Sequence, residues 1–233
     1  MKFRLVLPLL VAVGVATLLF LPADAFAQTL ELDALDKTCQ ATELKNCKVL
    51  GSGRYNIDWG DEEGAPMLAW QTQSGFTEED GVLGGFALFV HDSGTWRLLD
   101  SGWDGARFEA PRLGQDGSVL HLPGYSGGTG AYNVDRLYVW NDSGDQPVWQ
   151  NIDLDHWRQD IDTLLPEGLE IWKGVDYDFS DWFYGDSNAR TPLWRADDGN
   201  CCPSGGMAII HFDLDMDAGR LIATGIDHIP PQE

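Results

Sequence analysis

The chain has 233 residues, 43% of them hydrophobic and 11% aromatic, and a formal net charge of −22. This composition excludes intrinsic disorder and supplies enough apolar side chain for a sizeable core. The charge repels phosphate backbones and anionic lipid headgroups, so nucleic acid is not an expected partner. Self-repulsion that keeps the chain soluble is its simplest use, with a cationic partner or divalent ions as the sharper reading.

At the N-terminus Lys2 and Arg4 precede an apolar run from Leu5 to Leu21 and the small-residue pattern Ala25-Phe26-Ala27. This is the three-part layout of a secretory signal, expected to be removed as residues 1–27. The run is about 17 residues, short for a membrane span, and no cysteine follows it for acylation. An uncleaved anchor is the competing reading. Removal leaves residues 28–233 with 13 basic and 36 acidic side chains, a formal charge of −23, as a single expected domain. The processed chain is expected outside the cytosol, periplasmic or secreted, with no stable membrane span.

Cys39 and Cys47 come next, and with Cys201 and Cys202 they make an even set, which in an oxidising compartment reads as disulfides. Local pairing joins Cys39 to Cys47 and closes a vicinal Cys201–Cys202 ring. Cross-pairing would close a circle of about 150 to 160 residues and restrict the unfolded chain more. Local pairing is slightly favoured, and stapling rather than chemistry is the expected role.

The central part of the chain repeats. Leu88-Phe89-Val90-His91-Asp92-Ser93-Gly94 aligns with Tyr138-Val139-Trp140-Asn141-Asp142-Ser143-Gly144 at an offset of 50, and each copy is an apolar strand entering an Asp-Ser-Gly turn. Trp96 to Leu99 and Val148 to Ile152 follow as the next strands. A looser third copy runs Met207 to Leu214, Asp215 to Gly219 and Arg220 to Thr224. Upstream of each copy stands a further strand candidate: Met67 to Gln71, Ser118 to Leu122 and Thr191 to Ala196. About three strand, loop, strand, turn, strand units predict an all-β antiparallel meander, folded as a sandwich or barrel. Phe86 to Val90 and Leu137 to Trp140 are apolar throughout and should be covered on both faces. In the third unit Ile210, Phe212, Leu214 and Met216 alternate with His211, Asp213, Asp215 and Asp217, which gives one buried and one wet acidic face.

Three segments between these strands carry other patterns. Gly124-Tyr125-Ser126-Gly127-Gly128 fits G-x-S-x-G, with Asp153 or Asp155 and then His211 or His228 in Ser, Asp, His order. That chemistry needs a strand-to-helix elbow, whereas the chain continues into another strand, so the motif reads as a hairpin loop in a sequence with 27 glycines. From Asp155, Trp157, Ile161, Leu164 and Leu165 form one stripe of an amphipathic helix with Asp155 as N-cap and Pro166 as stop. The stretch Asp176 to Asp186 is aromatic and acidic without a sustained period. It is the best candidate ligand surface: Tyr177, Trp182 and Tyr184 offer stacking faces for a sugar ring or organic cation, and Asp178 and Asp181 offer acceptors. The competing reading is that its aromatics cover the core.

Asp213-x-Asp215-x-Asp217 has part of a calcium-loop pattern, but its glycine is one place late and no Glu stands at the twelfth position. Strand alternation already accounts for these aspartates. The five histidines are scattered and read as surface or turn residues. No cofactor is expected, and metal binding is left open.

Leu193-Trp194-Arg195 leading into Asp198-Gly199-Asn200-Cys201-Cys202-Pro203-Ser204-Gly205-Gly206, with Gly127-Gly128-Thr129-Gly130 upstream, resembles uncharacterised exported proteobacterial proteins. The resemblance covers the C-terminal half; it implies export and brings no activity with it. The expectation is therefore a non-enzymatic exported β-domain that binds a ligand or an envelope protein through its loops. The alternatives are a serine hydrolase using Ser126, a glycan-active enzyme using Asp178 and Asp181, or a structural envelope protein.

Overall fold

The computed structural model describes residues 30–57, 67–92, 94–128, 131–144 and 148–232, so the expected signal at 1–27 lies outside the described part. The fold is all-β, and among the described residues there is no α-helix. Three four-stranded antiparallel sheets account for most of it, one for each repeat unit. The N-terminal sheet runs in order β1 (Lys45–Asn56), β2 (Met67–Thr77), β3 (Gly81–Asp92) and β4 (Thr95–Gly105). A two-stranded ribbon, β5 (Arg107–Phe108) with β8 (Gly124–Tyr125), interrupts the middle unit. The middle sheet is ordered β6 (Arg112–Leu113), β7 (Val119–Leu122), β9 (Arg136–Asn141) and β10 (Val148–Ile152). The C-terminal sheet is ordered β11 (Asp176–Asp178), β12 (Asn188–Pro192), β13 (Met207–Asp215) and β14 (Arg220–Ile229).

The sheets stack, with the middle sheet shared between two cores. Period-two alternation along β7 and β9 sends Leu120, Leu122 and Tyr138 to one side, where they pack with Leu68, Phe86, Leu88 and Val90 of the N-terminal sheet. The alternate residues Val119, Leu137 and Val139 face Tyr177, Ala189, Ile210 and Phe212 of the C-terminal sheet. Strand β7 is consequently buried at every position. Such a strand reads as a near-continuous apolar run, here Val119, Leu120 and Leu122 with His121 as the polar member.

The outer face of the N-terminal sheet is covered by residues 30–41, whose Leu30 and Leu35 pack on Ala69, Ala87 and Phe89. Thus the run Phe86 to Val90 is buried on both faces, with this leading segment on one side and the middle sheet on the other. Two buried glutamines hold the cover down. Gln71 donates through Nε2 to the carbonyls of Leu35 and Thr38 and accepts from Gln40 N, and Gln73 donates to Gln40 O at 2.8 Å. The Cys39–Cys47 disulfide ties the same segment to β1, and Cys201 is bonded to Cys202.

The amphipathic helix expected from Asp155 is not formed. In its place stand two 3₁₀ turns, His156–Gln159 and Ile161–Thr163, separated by Asp160 at φ −116°. The segment is short, contains Asp160 and Asp162, which favour helix poorly, and is stopped by Pro166. Trp157 and Ile161 still reach the core and Leu165 packs against it, so the stripe is used without an α-helix. Asp155 makes no side-chain cap; its carboxylate accepts from Arg158 Nε at 3.3 Å.

A shared middle sheet makes two outcomes testable. Leu122→Ala and Leu137→Ala, one on each side of it, should each lower stability by about 2–5 kcal/mol in denaturant melts. Each variant should still unfold in one transition, because removing either contact weakens a sheet that both cores need. Two separate transitions would show that the outer sheets fold independently.

Candidate functional site

The loop expected to bind a ligand grows out of the middle core. On β7, His121 points toward the C-terminal sheet, and its Nε2 donates to Asp135 Oδ1 at 2.7 Å, with both side chains 4% exposed. Asp135 Oδ2 accepts from Asn133 Nδ2 at 3.0 Å. Asn133 then clasps the backbone of Val175, donating to its carbonyl at 2.8 Å and accepting from its N–H at 2.7 Å. Gly174 lies against the same segment, where a Cβ would sit 2.5 Å from Ala131 O, so only glycine allows the approach. A polar chain from His121 to Val175 therefore fixes where β11 begins.

From that root the backbone alternates. Val175, Tyr177 and Phe179 turn inward and are buried, while Asp176, Asp178 and Ser180 turn out. Tyr177 is 2% exposed: its hydroxyl donates to Leu154 O at 3.0 Å and accepts from Trp157 Nε1 at 2.9 Å, and its ring stacks on Phe179. It is a core residue and offers no free stacking face, which corrects the expectation from the sequence. Burial pushes its phenol well above the ordinary tyrosine value. Trp182 is half-buried and meets Phe179 edge-on, so it too belongs mainly to the packing.

Beyond Trp182 the chain forms one 3₁₀ turn, Trp182–Tyr184, ended by Gly185 at φ 75°. This turn throws Phe183 and Tyr184 outward, 66% and 73% exposed, with their rings in edge contact at 5.4 Å. Asp181 caps the turn through its carbonyl, to which Tyr184 N donates at 2.9 Å, and its carboxylate accepts from Gln115 Nε2 at 3.4 Å. Asp178 accepts from both the hydroxyl and the N–H of Ser180, at 2.6 and 3.0 Å. These bonds, the hydroxyl one foremost, hold the Asp178 carboxyl below the ordinary carboxylate value. That is the wrong direction for the proton-donating partner of a glycosidase pair.

Between this loop and the β6–β7 hairpin lies a cleft of about 80 Å³, lined by Arg112, Gly114, His121, Tyr177, Phe179 and Ser180 among others. Pockets for drug-sized ligands measure roughly 300–1,000 Å³. The cleft admits a few waters or a small group and is too small for a sugar ring or a peptide.

The other sequence candidates are dispersed. Ser126 Oγ accepts from Tyr132 N at 2.9 Å within a hairpin, and the next element among the described residues is strand β9. Its would-be partners are engaged elsewhere: His211 with Asp227 at 3.0 Å and His228 with Gly205 O at 2.8 Å. Asp215 accepts from Ala218 N at 3.0 Å and Arg220 Nε at 3.1 Å as the turn of the β13–β14 hairpin, and the Ala218 bond lowers its pKa first. No group of three His, Cys, Asp or Glu side chains able to hold a metal is found among the described residues. His121 corrects the view of the histidines as surface or turn residues. Its signal was visible, as the single titratable side chain in an otherwise apolar strand, whereas Asp135 and Asn133 gave none.

No family model matches the chain, and no curated protein matches it. The fold and the site define a class only: an all-β, disulfide-bearing domain with a braced aromatic lip.

Asp135→Ala would leave the buried His121 N–H without its acceptor and should cost at least about 1–3 kcal/mol in chemical denaturation. The acid limb should also respond to Asp178. A carboxyl held below its unfolded value near 3.9 contributes stability that is complete above that value and is lost as pH falls through the folded one. Melting temperature should therefore drop below about pH 4, and Asp178→Asn should flatten that drop relative to wild type.

Proposed function

We propose that this chain is an exported, non-enzymatic β-domain, periplasmic or secreted, that binds a ligand or envelope partner through the Phe183–Tyr184 lip. The observation that carries the reading is the exposure of two adjacent large aromatics on a turn whose base is tightly packed. Aromatic side chains bury when the fold allows it, and those held rigidly in water are preferred contact anchors. Their faces suit a sugar ring or an organic cation, and Asp186, Asp181 and Asp178 supply acceptors beside them. The strongly acidic composition adds long-range attraction for a cationic partner. Two disulfides and the signal-like N-terminus support an oxidising compartment. No helix among the described residues is long and apolar enough to cross a membrane.

The test uses soluble glycan fragments and lysine-rich peptides as separate probes, with the Phe183→Ala/Tyr184→Ala double variant as control. One probe class should bind the wild type, and the variant should lose at least about tenfold in affinity, as expected for contact anchors, with its melting temperature unchanged. Absence of binding by both classes, or equal binding by the variant, would refute the reading.

A further inference from the structure

The Cys201–Cys202 loop plays no part in the lip, and its two sulfurs sit in a different setting from those of Cys39–Cys47. Cys39 and Cys47 are partly buried, and their bond fastens a segment that covers an apolar sheet face. Cys201 and Cys202 are both exposed. Cross-link stabilisation grows with the logarithm of the loop closed. Cys39 and Cys47 are 8 positions apart, whereas Cys201 and Cys202 are 1 apart, so the vicinal bond restricts the unfolded chain far less.

The loop's shape is held without the sulfurs. Asp198 Oδ2 accepts from Arg195 N at 2.7 Å and from Ser204 N at 2.8 Å, closing a neck around the cysteines. Cys202 N donates to Gly199 O at 3.0 Å, Gly205 N to Leu193 O at 2.8 Å, and His228 Nε2 to Gly205 O at 2.8 Å. None of these contacts is made by a sulfur atom. An exposed cross-link that adds little to stability and can open without unfolding has the properties of a labile disulfide rather than a structural one.

We propose that Cys201–Cys202 is a reversible thiol–disulfide exchange site whose reaction partner is a dithiol, while Cys39–Cys47 is the permanent staple. A donor thiolate attacks one of the two sulfurs; the S–S bond breaks, a mixed disulfide forms, and the other cysteine leaves as a thiolate that takes up a proton. The donor's second thiol loses its proton and attacks the mixed disulfide, releasing the first cysteine. The net transfer is two electrons and two protons, which reduces the pair to thiols and oxidises the donor to its disulfide.

Dithiothreitol serves as the probe dithiol. The folded protein is treated with graded dithiothreitol, quenched with iodoacetamide and mapped by peptide mass spectrometry, with melting temperature followed in parallel. Cys201 and Cys202 should be alkylated at least about tenfold faster than Cys39 and Cys47, the ratio expected of an accessible against a covered disulfide. The melting temperature should stay within about 2 °C, and removing the reductant in air should restore the bond. A Cys201→Ser/Cys202→Ser variant should melt like the wild type. Simultaneous reduction of both disulfides, resistance of the vicinal pair to native-state reduction, or a large loss of melting temperature in the reduced protein or the variant would overturn the proposal.

Discussion

Strand β7 has no face left for water, and His121 sits in its middle. A polar side chain buried between two sheets must find a partner, and the partner has to be brought to it. Asp135 fills that role from a loop outside the strand; its second oxygen takes Asn133, and Asn133 takes the backbone at Val175. The position of the candidate binding loop is thereby set by a hydrogen-bonding requirement in the core. Its inward aromatics, Tyr177 and Phe179, pack around the same histidine, and the outward pair follows on the next turn.

Much of the architecture was legible because burial on two faces leaves a strong mark. The three repeat units became three sheets, and β3, β7, β9 and β13 fall where apolar runs or clean alternation stand in the sequence. What escaped was the first strand of each sheet. β1 carries Lys45, Lys48, Gly51 and Gly53, β6 is two residues long, and β11 is Asp-Tyr-Asp. Each pairs through its backbone at a sheet edge, where side-chain pattern is weakest. The helical stripe at Trp157 and Ile161 was real as a burial pattern, but periodicity reports which residues face the core and not which hydrogen bonds the backbone makes.

The Asp176–Asp186 stretch divides residue by residue between core and surface. Of the aromatics offered as stacking faces, Tyr177 is claimed by packing because alternation along β11 turns it inward, and Trp182 by its edge contact with Phe179 at the start of the 3₁₀ turn. Phe183, which was not among the candidates, faces out beside Tyr184. The polar chain behind the loop was hidden because Asp135 and Asn133 are distant in sequence from both His121 and Val175, and only the fold brings them together.

Native-state hydrogen exchange tests most directly whether one doubly covered sheet organises the molecule. The amides of Val119–Leu122 and Arg136–Asn141 should exchange only through global unfolding and share the highest protection, while those of the edge strands β1 and β14 open at lower free energy. Amides of β7 or β9 that exchange through a cheaper local opening, or an outer sheet more protected than these two strands, would contradict it.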